Sequence, residues 1–134
     1  MLSLFKSKKK TANATILVVD DEPDLVSTIK TRLEWHKFNV ETASNGQDGL
    51  EKAESVNPDL ILLDGNMPIM SGLQMLERMR QDKGLKNIPV IMLTAVCEAN
   101  DIASAGSLGV TEYITKPFDF AQLLGKISQI LDKK

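Results

Sequence analysis

The chain has 134 residues, 43% of them hydrophobic, and a net charge of −2, which fits one domain with enough apolar content for a core covered on two sides. One cysteine, Cys97, permits no intramolecular disulfide, and no run approaches the roughly 20 apolar residues that span a bilayer, so a cytoplasmic protein without a membrane span is expected. Lys6, Lys8, Lys9 and Lys10 stand in a first stretch that holds no acid; the rest is acidic, which argues against broad nucleic-acid binding, where clustered cations must neutralise phosphates.

Residues 1–14 read as a basic, flexible tail and residues 15–134 as the folded domain. Met1 to Phe5 is too short for a secretory apolar region. Leu2, Leu4 and Phe5 beside the lysines would still allow a weak contact with an anionic membrane surface.

From Thr15 onward, apolar runs of strand length alternate five times with stretches of helical period, which predicts a doubly wound parallel sheet. The first strand, about Thr15 to Val19, ends at Asp20-Asp21-Glu22-Pro23, where acids and a proline suit a helix start. Leu25, Ile29 and Leu33 follow at intervals of four, the inward face of that helix. Trp35 and His36 end it, and a lone histidine there reads as a surface or dipole-facing residue. Phe38 to Ala43 reads as the second strand. Asn45-Gly46 then opens a helix that turns Leu50, Ala53 and Val56 inward and stops at Asn57-Pro58.

Leu60 to Leu63 is apolar without alternation, as in a central strand covered on both faces. Gly65 to Gly72 is a loop by its glycine and proline content, and Ser71 caps a helix whose Leu73, Leu76 and Met79 face inward. Met67, Met70, Met75, Met79 and Met92 read as core and loop filling. Pro89 opens a fourth strand, Val90 to Leu93. The stretch from about Glu98 to Ser107 is a short, small-residue helix of weak propensity, which suits an element that moves. A last strand from Val110 to Thr115 leads to a helix beginning at Asp119, with Phe120, Leu123, Leu124, Ile127, Ile130 and Leu131 in one stripe. No linker or second domain is expected, so output would come from this one domain.

Four of these strands end on chemically useful side chains: Asp20-Asp21, Asp64, Thr94 and Lys116. Ligands of open α/β sheets bind outside the carboxyl ends of strands, so these groups would share one pocket. Clustered carboxylates repel and are stable when charged only around a cation, for which Mg²⁺ is the hard, oxygen-seeking choice. Asp64 is the best nucleophile, a carboxylate able to attack phosphorus and form an acyl phosphate. Lys116 can set an ammonium on a phosphoryl oxygen, and Thr94 can donate a hydroxyl hydrogen bond. Taken singly, each has an ordinary structural role: Asp-Gly is a turn signal, acids before a helix complement its dipole, and lysines are usually solvated. Their joint placement at four strand ends makes the functional reading the stronger one.

The segments Val18-Val19-Asp20-Asp21-Glu22-Pro23, Leu62 to Gly72, Leu93-Thr94-Ala95 and Tyr113-Ile114-Thr115-Lys116-Pro117-Phe118 together resemble the signature set of bacterial response-regulator receiver domains, from about Thr15 to Leu131. The resemblance implies a flavodoxin-like sheet in order 2-1-3-4-5 with five helices. It further implies that a sensor histidine kinase or histidine phosphotransfer protein donates a phosphoryl group to Asp64. Asp21 and Asp64 would hold Mg²⁺ directly, with the Asn66 carbonyl as a third ligand and Asp20 acting mostly through a metal-bound water. Lys116 would pair with the phosphoryl group, and the Lys116-Pro117 peptide would be cis. Thr94 and Tyr113 match the family's switch pair, acting on the face of the fourth helix, fifth strand and fifth helix. Asn66 and Val96 match positions where the family varies phosphoryl lifetime.

The implied protein is a single-domain response regulator, not an enzyme beyond self-phosphorylation from a donor and autodephosphorylation. It would work as a monomer or a phosphorylation-dependent dimer on a downstream protein target, without direct DNA binding. An intermediate phosphorelay carrier is a close variant. A Mg²⁺-dependent phosphohydrolase is the alternative from another class, but such dehalogenase-like enzymes place Asp-x-Asp after the first strand, where this chain has Asp20-Asp21. A phosphorylation-independent scaffold is disfavoured because every acidic, hydroxyl and lysine position is filled. A nucleotide carrier of this fold would want a glycine-rich loop after an early strand, and three acids stand there instead.

Overall fold

Successive side chains of a strand point to opposite faces, so the nearly continuous apolar runs of this chain must be covered on both sides. The structure, a computed structural model, describes residues 14–95 and 108–132. Its elements are β1 (Thr15–Val19), α1 (Pro23–Trp35), β2 (Asn39–Ala43), α2 (Gly46–Val56), β3 (Leu60–Asp64), α3 (Gly72–Arg80), β4 (Val90–Ala95), β5 (Glu112–Lys116) and α4 (Phe120–Asp132). The strands are all parallel in the order β2-β1-β3-β4-β5, the flavodoxin-like arrangement expected. The helix expected over about 98–107 and residues 1–13 of the expected tail lie outside the described residues. Ala14, the last tail position, is buried, and its carbonyl accepts the Asn39 N–H at 3.0 Å.

Two apolar layers flank the sheet. Ile16, Val18, Leu60, Leu62, Ile91, Leu93 and Ile114 face Ile29 and Leu33 of α1 and Leu123, Ile127 and Leu131 of α4. Leu17, Val19, Ile61, Leu63, Val90 and Met92 face Ala53 of α2 and Met75, Leu76 and Met79 of α3. The inward faces differ from expectation in detail: Leu50, Val56 and Leu73 are only half-buried, while Gly49 and Met75 are buried.

Several strand boundaries differ from expectation. Phe38 is not in β2 because its N–H returns to the Leu33 carbonyl (3.1 Å) while Lys37 N–H bonds Glu34 (2.9 Å). With Lys37 at φ 75° and Phe38 buried against Leu33, this is a Schellman ending of α1. β5 begins two residues late because the Thr111 hydroxyl, not a backbone carbonyl, accepts the Val90 N–H at 3.3 Å. β3 and β4 run one and two residues further than predicted, so Asp64 and Thr94 lie within strands.

Arg80 closes the opposite end of the fold. Its guanidinium donates to the carbonyls of Leu108 (2.8 Å), Lys86 (2.9 Å), Ile88 (3.2 Å) and Gly109 (3.2 Å). Burial lowers its pKa, and the planar fork of donors suits this set of acceptors.

Candidate functional site

Strand register sets the site. Val19 lies opposite Leu63, Asp64 opposite Leu93, Thr94 opposite Thr115 and Ala95 opposite Lys116, so Asp20, Asp64, Thr94 and Lys116 step across the carboxyl edge of β1, β3, β4 and β5. Alternation along the strands gives Asp20, Asp64 and Lys116 the parity of the α1/α4 layer, and Thr94 and Tyr113 the parity of the α2/α3 layer. Tyr113 faces Met92 in register, one diagonal step from Thr94, and packs half-buried against the second layer.

Asp20 and Asp64 are buried, at 1% and 6% exposure, whereas Asp21 is exposed. One carboxylate oxygen from each of the three lies within 4.8 Å of the others. Asp20 is fixed by its own backbone N–H on Ala43 (3.1 Å) and by accepting the Glu22 N–H (3.0 Å). The Asn66 N–H donates to Asp64 Oδ1 at 3.3 Å. Lys116 Nζ reaches Asp20 Oδ2 and Glu22 Oε1, each at 2.9 Å, and Asp64 Oδ1 at 3.5 Å. The Lys116-Pro117 peptide is cis.

The electrostatics follow from burial. Desolvation, then the neighbouring charge of Asp20 and more weakly that of Asp21, raises the Asp64 pKa to about 7 against the opposing pull of Lys116 and the Asn66 N–H. Burial alone would lower the Lys116 pKa, but hydrogen bonds to Asp20 and Glu22 and the charges of Asp20 and Asp64 outweigh it and raise it. One lysine therefore does not neutralise the cluster. Three carboxylates converging within 4.8 Å form a donor set suited to a hard divalent cation such as Mg²⁺.

Two features of the loop after Asp64 were not legible beforehand. Gly72 packs so closely under Asp64 that an added Cβ would collide with the Asp64 carbonyl oxygen. Ile69 is 81% exposed at φ 68°, and Met70 N–H bonds the Pro68 carbonyl at 2.7 Å across it. That is a γ-turn of the rare positive-φ kind, costly for a β-branched residue. Ile69→Gly is expected to raise stability by about 1 kcal/mol, since strain is relieved and no buried area is lost; urea denaturation giving an unchanged or lower midpoint would refute it.

The family model for the response regulator receiver domain matches residues 16–128. The alkaline phosphatase synthesis transcriptional regulatory protein PhoP of Bacillus subtilis is 40% identical over 119 residues, covering 89% of this chain and 49% of the relative. Response regulator ArlR of Staphylococcus aureus is 38% identical, covering 89% and 53%. The chain thus spans about half the length of these curated relatives. Among solved structures, chemotaxis response regulator CheY4 of Vibrio cholerae superposes with a TM-score of 0.82 at 30% identity, covering 88% of this chain and 98% of that one. A CheY-like receiver domain protein from Methanospirillum hungatei gives 0.85 at 30% identity, covering 90% and 95%. Sheet order, strand-end chemistry and these matches agree, and the chain belongs to the response-regulator receiver domains of two-component signal transduction.

Proposed function

We propose that this domain is a phosphorylation-controlled switch in which Asp64 accepts a phosphoryl group from the phosphohistidine of a sensor kinase or phosphotransfer protein. Receiver domains in general are phosphoryl-accepting signal domains that bind Mg²⁺ at an aspartate cluster and interact with histidine kinases and downstream effectors. The observation that carries the reading for this chain is the convergence of Asp20, Asp21 and Lys116 on the buried Asp64. Asp20, Asp21, Asp64 and the Asn66 carbonyl would hold Mg²⁺, which when bound supplies positive charge facing the phosphoryl oxygens.

Asp64 must be ionised to act. Its carboxylate oxygen attacks phosphorus, a P–O bond forms, the P–N bond to the donor histidine breaks, and the departing imidazole nitrogen takes up a proton. Lys116 then donates to a phosphoryl oxygen as a point charge. The new group brings about −1.5 to −2 charge, and the Thr94 hydroxyl moves to donate to it. Tyr113 turns into the space that Thr94 leaves, and the surface of β5, α4 and the helix expected over 98–107 changes shape. Output is altered affinity of this domain for a partner protein in the cytoplasm. Among the described residues, no helix is long and apolar enough to cross a membrane.

Intact-mass analysis after incubation with acetyl phosphate tests the reading. A gain of about 80 Da, one phosphoryl group, that requires Mg²⁺ and disappears in Asp64→Asn is the expected result. No adduct under rapid sampling, with no Mg²⁺ binding by calorimetry, would turn the assignment to a phosphorylation-independent scaffold.

A further inference from the structure

We infer that Glu22 is a positioning residue that brakes phosphorylation by occupying the Lys116 ammonium until a phosphoryl group displaces it. The inference rests on the function proposed above and concerns a residue that function does not use. Glu22 is the N-cap of α1, yet its side chain makes no capping hydrogen bond. Its backbone N–H is already committed to Asp20 Oδ1. The carboxylate instead reaches 94 positions along the chain to Lys116 Nζ, at 2.9 Å. An N-cap usually holds a short side chain that accepts from its own helix, so local helix formation does not account for this contact.

The ammonium is closer to Glu22 and Asp20, both at 2.9 Å, than to Asp64, at 3.5 Å. An ammonium has three donors, and the resting contacts direct two of them away from the acceptor aspartate. Asp20 is held by its own backbone contacts and is buried. The Glu22 side chain is 59% exposed and can swing into solvent at little cost. It is therefore the acceptor that yields when a phosphoryl oxygen arrives. Its charge also lies on the rim that an anionic donor must cross, so it opposes the same step twice, by holding Lys116 and by repulsion.

Transfer to Asp64 still forms one P–O bond and breaks the bond to the donor's leaving group; Glu22 changes only how readily Lys116 meets the phosphoryl oxygens. Phosphorylation rates with acetyl phosphate should be measured for wild type, Glu22→Gln and Glu22→Asp, each at a Mg²⁺ concentration that calorimetry shows to be saturating for it. Glu22→Gln is expected to react about three- to tenfold faster in low salt, with the gain shrinking as ionic strength rises, as for one exposed charge. Glu22→Asp keeps the charge but shortens the reach, and should fall between the two. In ¹⁵N spectra of the unphosphorylated protein, the Lys116 ammonium signal should shift in Glu22→Gln and stay unmoved in the control Glu51→Gln. Equal or slower phosphorylation of Glu22→Gln beside a reactive wild type overturns this inference alone. A wild type that takes up no phosphoryl group overturns the proposed function and this inference with it.

Discussion

Asp64→Asn is expected to make the metal-free protein more stable at pH 8 while leaving it unchanged near pH 4. The Asp64 carboxyl titrates near pH 7 in the folded chain, against an ordinary value of 3.8. Below the lower value both folded and unfolded chains carry it protonated, and no penalty exists. Between the two values the unfolded chain ionises and the folded chain does not, so the wild type loses stability progressively as pH rises from 3.8 to about 7, and no further above it. Asparagine has no proton to lose and escapes that loss. Sharing of charge with Asp20 and Lys116 trims the effect, and about 2 kcal/mol is expected on the plateau above pH 7, or a Tm higher by roughly 5–10 °C. Mg²⁺ should act in the opposite sense on wild type, raising Tm more at pH 8 than at pH 5.5, because only the ionised cluster binds it. Thermal melts in EDTA and in Mg²⁺ across this range provide the check. A Tm difference between the two proteins that does not vary with pH would show that Asp64 is not the group responsible.

What made this site legible is that its members end apolar runs. Val18-Val19 before Asp20, Leu60 to Leu63 before Asp64, and Val90 to Leu93 before Thr94 announce central strands, and a parallel sheet lines up their carboxyl ends. Local patterns were enough because backbone pairing carries out the long-range assembly. The Ser71 cap was legible for a similar reason, since it accepts the Gln74 N–H three residues ahead; Asn45, read as part of a turn, does the same for Asp48.

Contacts between side chains far apart in sequence carried no such signal. Glu22 looked like a helix-start acid, and only the fold shows that it meets Lys116. Arg80 belongs to no pattern in the sequence, yet it closes on four carbonyls from two loops. The late starts of β2 and β5 were hidden because Lys37 at a left-handed cap and the Thr111 hydroxyl capture backbone groups that propensity would give to a strand. For Glu22, Arg80 and Thr111 a deciding partner is absent from the local window.

Gly72 shows how far one such unseen approach controls the seat of Asp64. Its position in a glycine- and proline-rich loop suggested only freedom of the backbone, but it is already the first residue of α3, and its N–H donates to the Gly65 carbonyl at 3.2 Å. A Cβ there would strike the Asp64 carbonyl oxygen and lie 2.9 Å from the Asp64 carbonyl carbon and 3.0 Å from Gly65 Cα. All three are backbone atoms, so no flexible side chain can move aside. Gly72→Ala must push α3 away from β3 or shift Asp64 itself, and a loss of about 3 kcal/mol is expected, a Tm lower by roughly 10 °C. Gly125→Ala is the matched control, because a Cβ there meets nothing within 4 Å on an exposed helix position; it should gain up to about 1 kcal/mol from helix propensity. The same added methyl group thus carries opposite signs at two helical sites. If chemical denaturation gave Gly72→Ala the stability of wild type, the close seat of α3 beneath Asp64 would not be what fixes that aspartate in place.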